Sequence, residues 1–252
     1  MTDITDAASG GSDDVDVETP KPSRQKSLKL FIRDVIIILL AAILISFLVK
    51  TFLVRSFYIP SASMESTLLV NDRIVVNELE PELIPISRGD IVVFEDSLGW
   101  LPVEEDTRNP VEKAVDTVLG VIGLTAPDSK DHLIKRVIGL PGDHVTCCDD
   151  FGKISVNGVP LDEPYITVAA GADAAPSTFD VTVPKGHLWV MGDNRYNSGD
   201  SLFHNKQGDE SGGFVSTDDV VGRAVVISWP ITRWTWLDNY ESTFRGVDDS
   251  SD

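Results

Sequence analysis

Apolar positions are spread unevenly along this chain. From Val35 to Val49 it reads VIIILLAAILISFLV without a charge, Lys50 interrupts, and Thr51-Phe52-Leu53-Val54 resumes the run. A bilayer-spanning helix needs about 20 mostly apolar residues. Residues 35–54 are therefore predicted to form one transmembrane helix, with Lys50 stretching its ammonium toward the headgroups. The run is apolar on every face, unlike the half-exposed helix of a soluble domain.

Past this run the pattern changes. Short stretches rich in β-branched residues appear at Arg73–Asn77, Asp90–Phe94, Lys153–Val156, Phe179–Val183, His187–Met191 and Val220–Trp229. Turn residues separate them: Arg88-Gly89-Asp90, Pro141-Gly142-Asp143, Asn157-Gly158 and Pro184-Lys185-Gly186. Asn-Gly between KISV and VPLD is a strong hairpin signal, because both residues tolerate positive φ. The fold class is mainly β: an antiparallel sheet or barrel-like domain over residues 56–245, behind one N-terminal transmembrane helix. Residues 96–131 break the rhythm as an insertion. Within it Asn109-Pro110 opens a helical pattern that puts Val111, Ala114, Val115, Val118, Leu119 and Ile122 on one face. That stripe has no cationic partner face, so it is expected to pack on the sheet rather than lie in a membrane surface.

Charge orients the anchor. Lys21, Arg24, Lys26, Lys29 and Arg33 precede the run, whereas only Lys50 and Arg55 lie at its far end. This excess keeps the amino end in the cytoplasm and sends the carboxyl end out across the plasma membrane, in a single pass. A cleavable leader fits less well, since the amino-terminal region is long and Ser61-Ala62-Ser63 lies well past the run. The chain carries 21 basic and 40 acidic residues, a formal charge of −19, which argues against nucleic acid as a partner. Much of the acid is terminal. Residues 1–34 read as a disordered tail, first acidic and then basic, and residues 246–252 as an acidic tail.

The candidate chemistry sits in two segments. Tyr58–Leu68 (YIPSASMESTL) sets a serine among small and apolar residues just beyond the anchor. Leu133–Asp143 (LIKRVIGLPGD) sets a lysine between apolar neighbours, where burial favours the neutral amine. Serine with a neutral lysine is a route to acyl transfer without histidine. The four histidines are scattered without ligand spacing, so no metal is expected and no cofactor is called for. Cys147 and Cys148 have no other cysteine to pair with; a vicinal ring and two free thiols both remain open. Ser23-Arg24-Gln25-Lys26 is another Ser-x-x-Lys, but it lies in the polar tail with no fold around it. Taken alone, the pattern favours an ordinary strand lysine at 135 and a turn serine at 198.

Four segments in order, after a transmembrane run, change that balance. They are IPSASMESTL at 59–68, RGDIVVF at 88–94, IKRVIGLPGD at 134–143 and MGDNRYNSGDS at 191–201, and the match continues through Gly213-Phe214-Val215 and Val221–Ala224. The chain resembles the bacterial type I signal peptidases, membrane-bound serine/lysine enzymes that cleave signal peptides from exported preproteins. The resemblance fades in the insertion and the tails. It implies a serine endopeptidase with Ser63 as nucleophile and Lys135 as general base. It implies Ser61 as a side-chain donor to the oxyanion, beside the Ser63 N–H, and Ser198 as the hydroxyl that orients the lysine amine. Asp200 would support that loop, and Asp193 with Arg136 would form a structural ion pair against the lysine strand. Ile59, Met64, Leu68 and Ile134 would wall apolar pockets for small substrate residues. The implied partners are signal-peptide-bearing preproteins and membrane lipid, with the enzyme acting as a monomer and its catalytic domain outside the cytoplasm. Two positions depart from the family pattern: Tyr196 stands where many members carry an acid, and Leu202 where some carry an arginine that pairs with the acid at 200. One rival is a single-pass β-rich surface protein for adhesion or assembly, which leaves Ser63 and Lys135 unneeded. A second is a self-cleaving repressor-type protease, which would carry a DNA-binding domain where this chain has its apolar run.

Overall fold

The computed structural model describes residues 24–52, 54–101, 109 and 131–247. The acidic amino-terminal segment, the helical pattern predicted after Asn109 and the closing acidic residues lie outside the described residues. The chain divides into two units, residues 1–47 and 48–252.

The first unit holds most of helix α1, Arg24–Phe52. It begins well before Val35, so the charged residues Lys29, Arg33 and Asp34 share a helix with the apolar run, and Arg33 pairs with Asp34 on its surface. Leu28 to Ile45 present their large apolar side chains to the outside. Among the described residues no helix is long and apolar enough to cross a membrane.

The second unit is antiparallel throughout. Its strands are β1 (Val54–Tyr58), β2 (Arg73–Asn77), β3 (Ile91–Glu95), β4 (His132–Gly139), β5 (His144–Cys147), β6 (Ile154–Val156), β7 (Val159–Pro160), β8 (Phe179–Thr182), β9 (His187–Met191), β10 (Val215–Ser216), β11 (Val220–Trp229) and β12 (Thr235–Trp236). One sheet runs β1-β2-β11-β3-β4-β9-β10, with β12 also on β11; a smaller sheet runs β7-β6-β5-β8. Val54, expected as the last residue of the spanning helix, starts β1 instead, where it pairs with Asn77. Backbone pairing takes precedence there over local apolarity. Asn157 and Gly158 both have positive φ (50° and 79°), as the tight β6–β7 hairpin requires.

Alternation along β2 is clean, with Ile74 and Val76 buried and the residues between them half-buried. β4 instead is buried along nearly its whole length, because it lies between β3 and β9. Two apolar clusters fill the large sheet's sides, one around Phe57, Met64, Leu68 and Ile74, the other around Phe94, Val137 and Val190. A third, around Trp189, Ile138 and Val145, joins the two sheets. Cys147 belongs to this third cluster and is disulfide-bonded to the adjacent Cys148.

Arg136, fully buried on β4, is the polar centre of this unit. Its guanidinium makes a two-pronged pair with Asp193, Nε to Oδ1 at 2.8 Å and Nη2 to Oδ2 at 2.7 Å. Nη1 donates to the carbonyls of Gly89 (2.7 Å) and Asp238 (3.2 Å). The Tyr165 ring covers its flat face, 4.0 Å from the guanidinium carbon to the ring centre. Asp193 accepts in addition from the Thr67 hydroxyl at 2.5 Å. One side chain thus ties together the turn before β3, the strand β4, the turn after β9 and the carboxyl-terminal segment. Asp193→Ala would strand a buried guanidinium. It is expected to cost about 3–5 kcal/mol in urea unfolding, while the paired change Arg136→Met with Asp193→Leu recovers much of that loss.

Candidate active site

Ser63 lies in the loop between β1 and β2, residues 59–72. The neck of this loop is closed by Ile59 N–H to the Asp72 carbonyl and Asn71 N–H to the Ile59 carbonyl, both 2.9 Å. Inside it Glu65 N–H donates to the Ala62 carbonyl (3.1 Å) and Leu68 N–H to the Met64 carbonyl (2.8 Å), a helix-like turn. Met64 and Leu68 are completely buried beneath it and hold it down. Arg233 adds a clamp from the other side, donating to the Asp72 carboxylate and, at 3.2 Å, to the Thr67 carbonyl.

Lys135 comes from β4, paired with Val92 of β3, and is 3% exposed. Its Nζ donates to Ser63 Oγ at 3.0 Å and to the Ile134 carbonyl at 2.9 Å. Residues far apart in sequence thus meet at hydrogen-bond distance. Burial pushes the Lys135 amine down to about 8, against a weaker upward pull from the charges of Asp200 and Asp193. No carboxylate hydrogen-bonds it among the described residues. Such an amine is neutral in a substantial fraction of molecules at mildly alkaline pH, and when neutral it can take a proton from the hydroxyl beside it. Ser61 Oγ is 3.2 Å from Ser63 Oγ on the exposed side of the turn.

The family model described as "Signal peptidase, peptidase S26" matches residues 32–229. The chain belongs to this family. Among its relatives is a probable signal peptidase I of Mycobacterium leprae, 39% identical over 69% of this chain and 68% of its own length. A signal peptidase I of Mycobacterium tuberculosis is 36% identical over 89% of this chain and 80% of its own. A solved signal peptidase I from Enterococcus faecalis aligns over 55% of this chain and 95% of that one, at 26% identity and a TM-score of 0.33. Membership of peptidase family S26 makes this chain a serine endopeptidase, a hydrolase of peptide bonds.

The other residues singled out in this S26 peptidase converge on the same place. Asp200 caps helix α2 (Ser201–Gln207), its Oδ1 accepting from Leu202 N–H (3.1 Å) and Phe203 N–H (3.4 Å) and its Oδ2 from Gly192 N–H (3.0 Å). Asp200 is thus held by backbone donors, and Leu202 is buried. Gly192 lies between Ser198 and the Ser63 carbonyl. A methyl group there would stand 2.3 Å from Ser198 Oγ and 2.4 Å from the Ser63 carbonyl oxygen. Ser198 Oγ, expected to orient the lysine amine, is instead buried without a hydrogen-bond partner among the described residues, and the amine is held by Ser63 and Ile134. Ile59, Met64, Leu68 and Ile134 share one apolar cluster, and Ile134, at 8%, keeps the most exposure of the four.

Two contributors had no assigned role in the sequence reading. Thr67, within the first motif, links the serine turn to Asp193. Asn194, next to Asp193 in the fourth motif, donates its Nδ2 to the Ala62 carbonyl at 3.0 Å and its backbone N–H to the Ser63 carbonyl at 3.1 Å. The only sequence signal for either was a place inside a matched motif. No residues in the described part form a cluster suited to a metal ion.

The buried amine has a consequence for stability. Its folded value of about 8 lies below the 10.5 of an exposed lysine. The unfolded chain therefore holds the extra proton between pH 8 and 10.5, and stability rises with pH across that window. The penalty is fully present below pH 8 and corresponds to about 3 kcal/mol. Lys135→Met should accordingly gain on the wild type by about that amount more at pH 7 than above pH 10.5. Urea unfolding of both proteins at the two pH values measures it, and a pH-independent difference would contradict the depressed amine.

Proposed function

We propose that this chain is a membrane-bound endopeptidase that cleaves N-terminal signal peptides from exported preproteins, with Ser63 as nucleophile and neutral Lys135 as general base. The observation that carries this reading is the 3.0 Å contact between Lys135 Nζ and Ser63 Oγ within a buried site. Ser63 Oγ attacks the scissile carbonyl while Lys135 takes its proton. The oxyanion is held by the Ser63 N–H and the Ser61 hydroxyl. Lys135 then returns the proton to the leaving amine, and the acyl ester on Ser63 is hydrolysed by a water that Lys135 deprotonates. Asp200, Asp193 and Arg136 are assigned to hold the surrounding loops, and Ser63 Oγ and the Ile134 carbonyl aim the amine. Of the apolar cluster of Ile59, Met64, Leu68 and Ile134, Ile134 keeps the exposure with which a small residue before the cut would pack, while Met64 and Leu68 support the turn from beneath. An adhesion protein has no need for a lysine desolvated against a serine, a costly arrangement for structure alone.

The membrane assignment places the apolar run from Val35 to Phe52 across the bilayer, the amino end in the cytoplasm and the β unit outside. The cationic flank before Val35 and the outward apolar side chains of α1 support it. So does an aromatic patch on the β unit: Trp229, Ile231, Trp234 and Trp236 are each more than half exposed. Trp side chains of this kind favour the headgroup layer. Arg233 ties this patch to the serine turn, so a surface that meets lipid would hold the site close to a membrane-held substrate.

Ser63→Ala and Lys135→Arg are both expected to abolish precursor cleavage while the protein stays folded, since a guanidinium does not deprotonate. In the wild type kcat/KM should rise with pH through an apparent pKa of about 8, as Lys135 loses its proton. A flat profile, or activity in either variant, would overturn the dyad. Removal of residues 1–53 should slow cleavage of membrane-inserted precursors far more than cleavage of a short soluble peptide. Equal effects on the two substrates would remove the proposed role of the anchor.

A further inference from the structure

We infer that Asn194 is a positioning residue that sets the direction of the Ser63 N–H, and through it the strength of the oxyanion site. The inference rests on Ser63 being the nucleophile, as proposed above. It starts from a feature of the turn that hydrolysis by the dyad does not itself require: Asn194 grips the chain on both sides of Ser63. Its Nδ2 donates to the carbonyl before that residue, Ala62, at 3.0 Å, and its own N–H donates to the Ser63 carbonyl at 3.1 Å. Only an amide nitrogen can donate to a carbonyl, so the acceptor settles which way the side-chain amide faces.

The Ala62 carbonyl and the Ser63 N–H belong to one peptide unit. That unit is planar, and in its trans form the two groups point in opposite directions. A donor held against the carbonyl oxygen therefore fixes where the N–H points. Glu65 N–H reaches the same oxygen from within the turn at 3.1 Å. Asn194 is the partner from outside the turn, and it comes from the segment anchored by the Arg136–Asp193 pair through its neighbour Asp193. A hydrogen bond to the carbonyl also polarises the peptide, so the N–H becomes a better donor to developing negative charge. No described hydrogen bond joins Asn194 to Lys135, so its effect should fall on charge stabilisation and leave the base alone.

The test uses the full-length protein in detergent, with Asn194→Ala and the uncharged, similarly sized Asn194→Leu. In either variant the backbone N–H at 194 still holds the Ser63 carbonyl, and Asn194→Leu also keeps side-chain volume without adding a charge near Lys135. The expected result is a fall in kcat of roughly 10- to 100-fold, part of the 10²–10³ that an oxyanion donor contributes, with KM nearly unchanged and the apparent pKa of the rate profile unmoved. Binding is then compared for two peptides with alanine before the reactive end. The aldehyde adds Ser63 Oγ to its carbonyl carbon, passing the hydroxyl proton to Lys135 and leaving a negative oxygen in the oxyanion site. The matching alcohol forms no such bond. Aldehyde affinity should fall in step with kcat/KM while alcohol affinity holds. Equal weakening of both peptides, or a moved pKa, would show a general loosening of the site and overturn the inference. Wild-type kcat in both variants, with Ser63→Ala inactive, would overturn it while leaving the dyad intact; activity in Ser63→Ala would instead remove the reading on which it rests.

Discussion

The two-pronged ion pair between Arg136 and Asp193 is the interaction on which the rest of the site depends. Both side chains are fully out of water. Removing two charges from water costs several kcal/mol per ion, and only close geometry with every remaining donor and acceptor occupied offsets that cost. Here the guanidinium is completed by two backbone carbonyls and by the face of Tyr165, and the carboxylate by the Thr67 hydroxyl. Because Arg136 directly follows Lys135 and Asp193 directly precedes Asn194, the pair sets the distance between the lysine strand and the segment that grips the serine turn. The motif residues need one another for a physical reason: each satisfies a buried polar group that the others bring in.

The same pair helps to explain how a lysine can be desolvated in a chain this rich in acid. A carboxylate touching the amine would hold its proton on. Asp193 is occupied by Arg136 and Thr67, and Asp200 by three backbone N–H groups. Their charges still pull the amine upward, but burial prevails and the amine titrates at about 8. Acidic side chains can therefore build the loops around the site without disabling a base, provided their oxygens are already engaged.

Much of the β unit was legible in the sequence. Each run of β-branched residues noted there is a strand, with ends displaced by about a residue, and Asn157-Gly158 makes the hairpin its φ angles allow. β1, β5, β10 and β12 were not legible. Pairing with other strands, rather than local propensity, makes them strands: β12 pairs with β11, and β1 takes Val54 from what reads locally as helix. β4 has no alternation to read because both of its faces are covered. The leucine at 202 left the role of Asp200 open: two of its backbone partners belong to the local cap of α2, but the third, Gly192, comes beside it only through the fold.

By itself the sequence determined the family, the mainly β class, the apolar run with its cationic flank, and the identity of the serine and lysine worth comparing. Those are properties of residue type and order, and they survive in the unfolded chain. The tertiary structure alone decided that the Lys135 amine is buried against Ser63, that Asp200 spends its oxygens on backbone, and that Asn194 reaches the peptide before the serine. Desolvation and hydrogen bonding depend on what lies within a few ångströms, and in this fold those neighbours come from strands and turns scattered along the whole β unit.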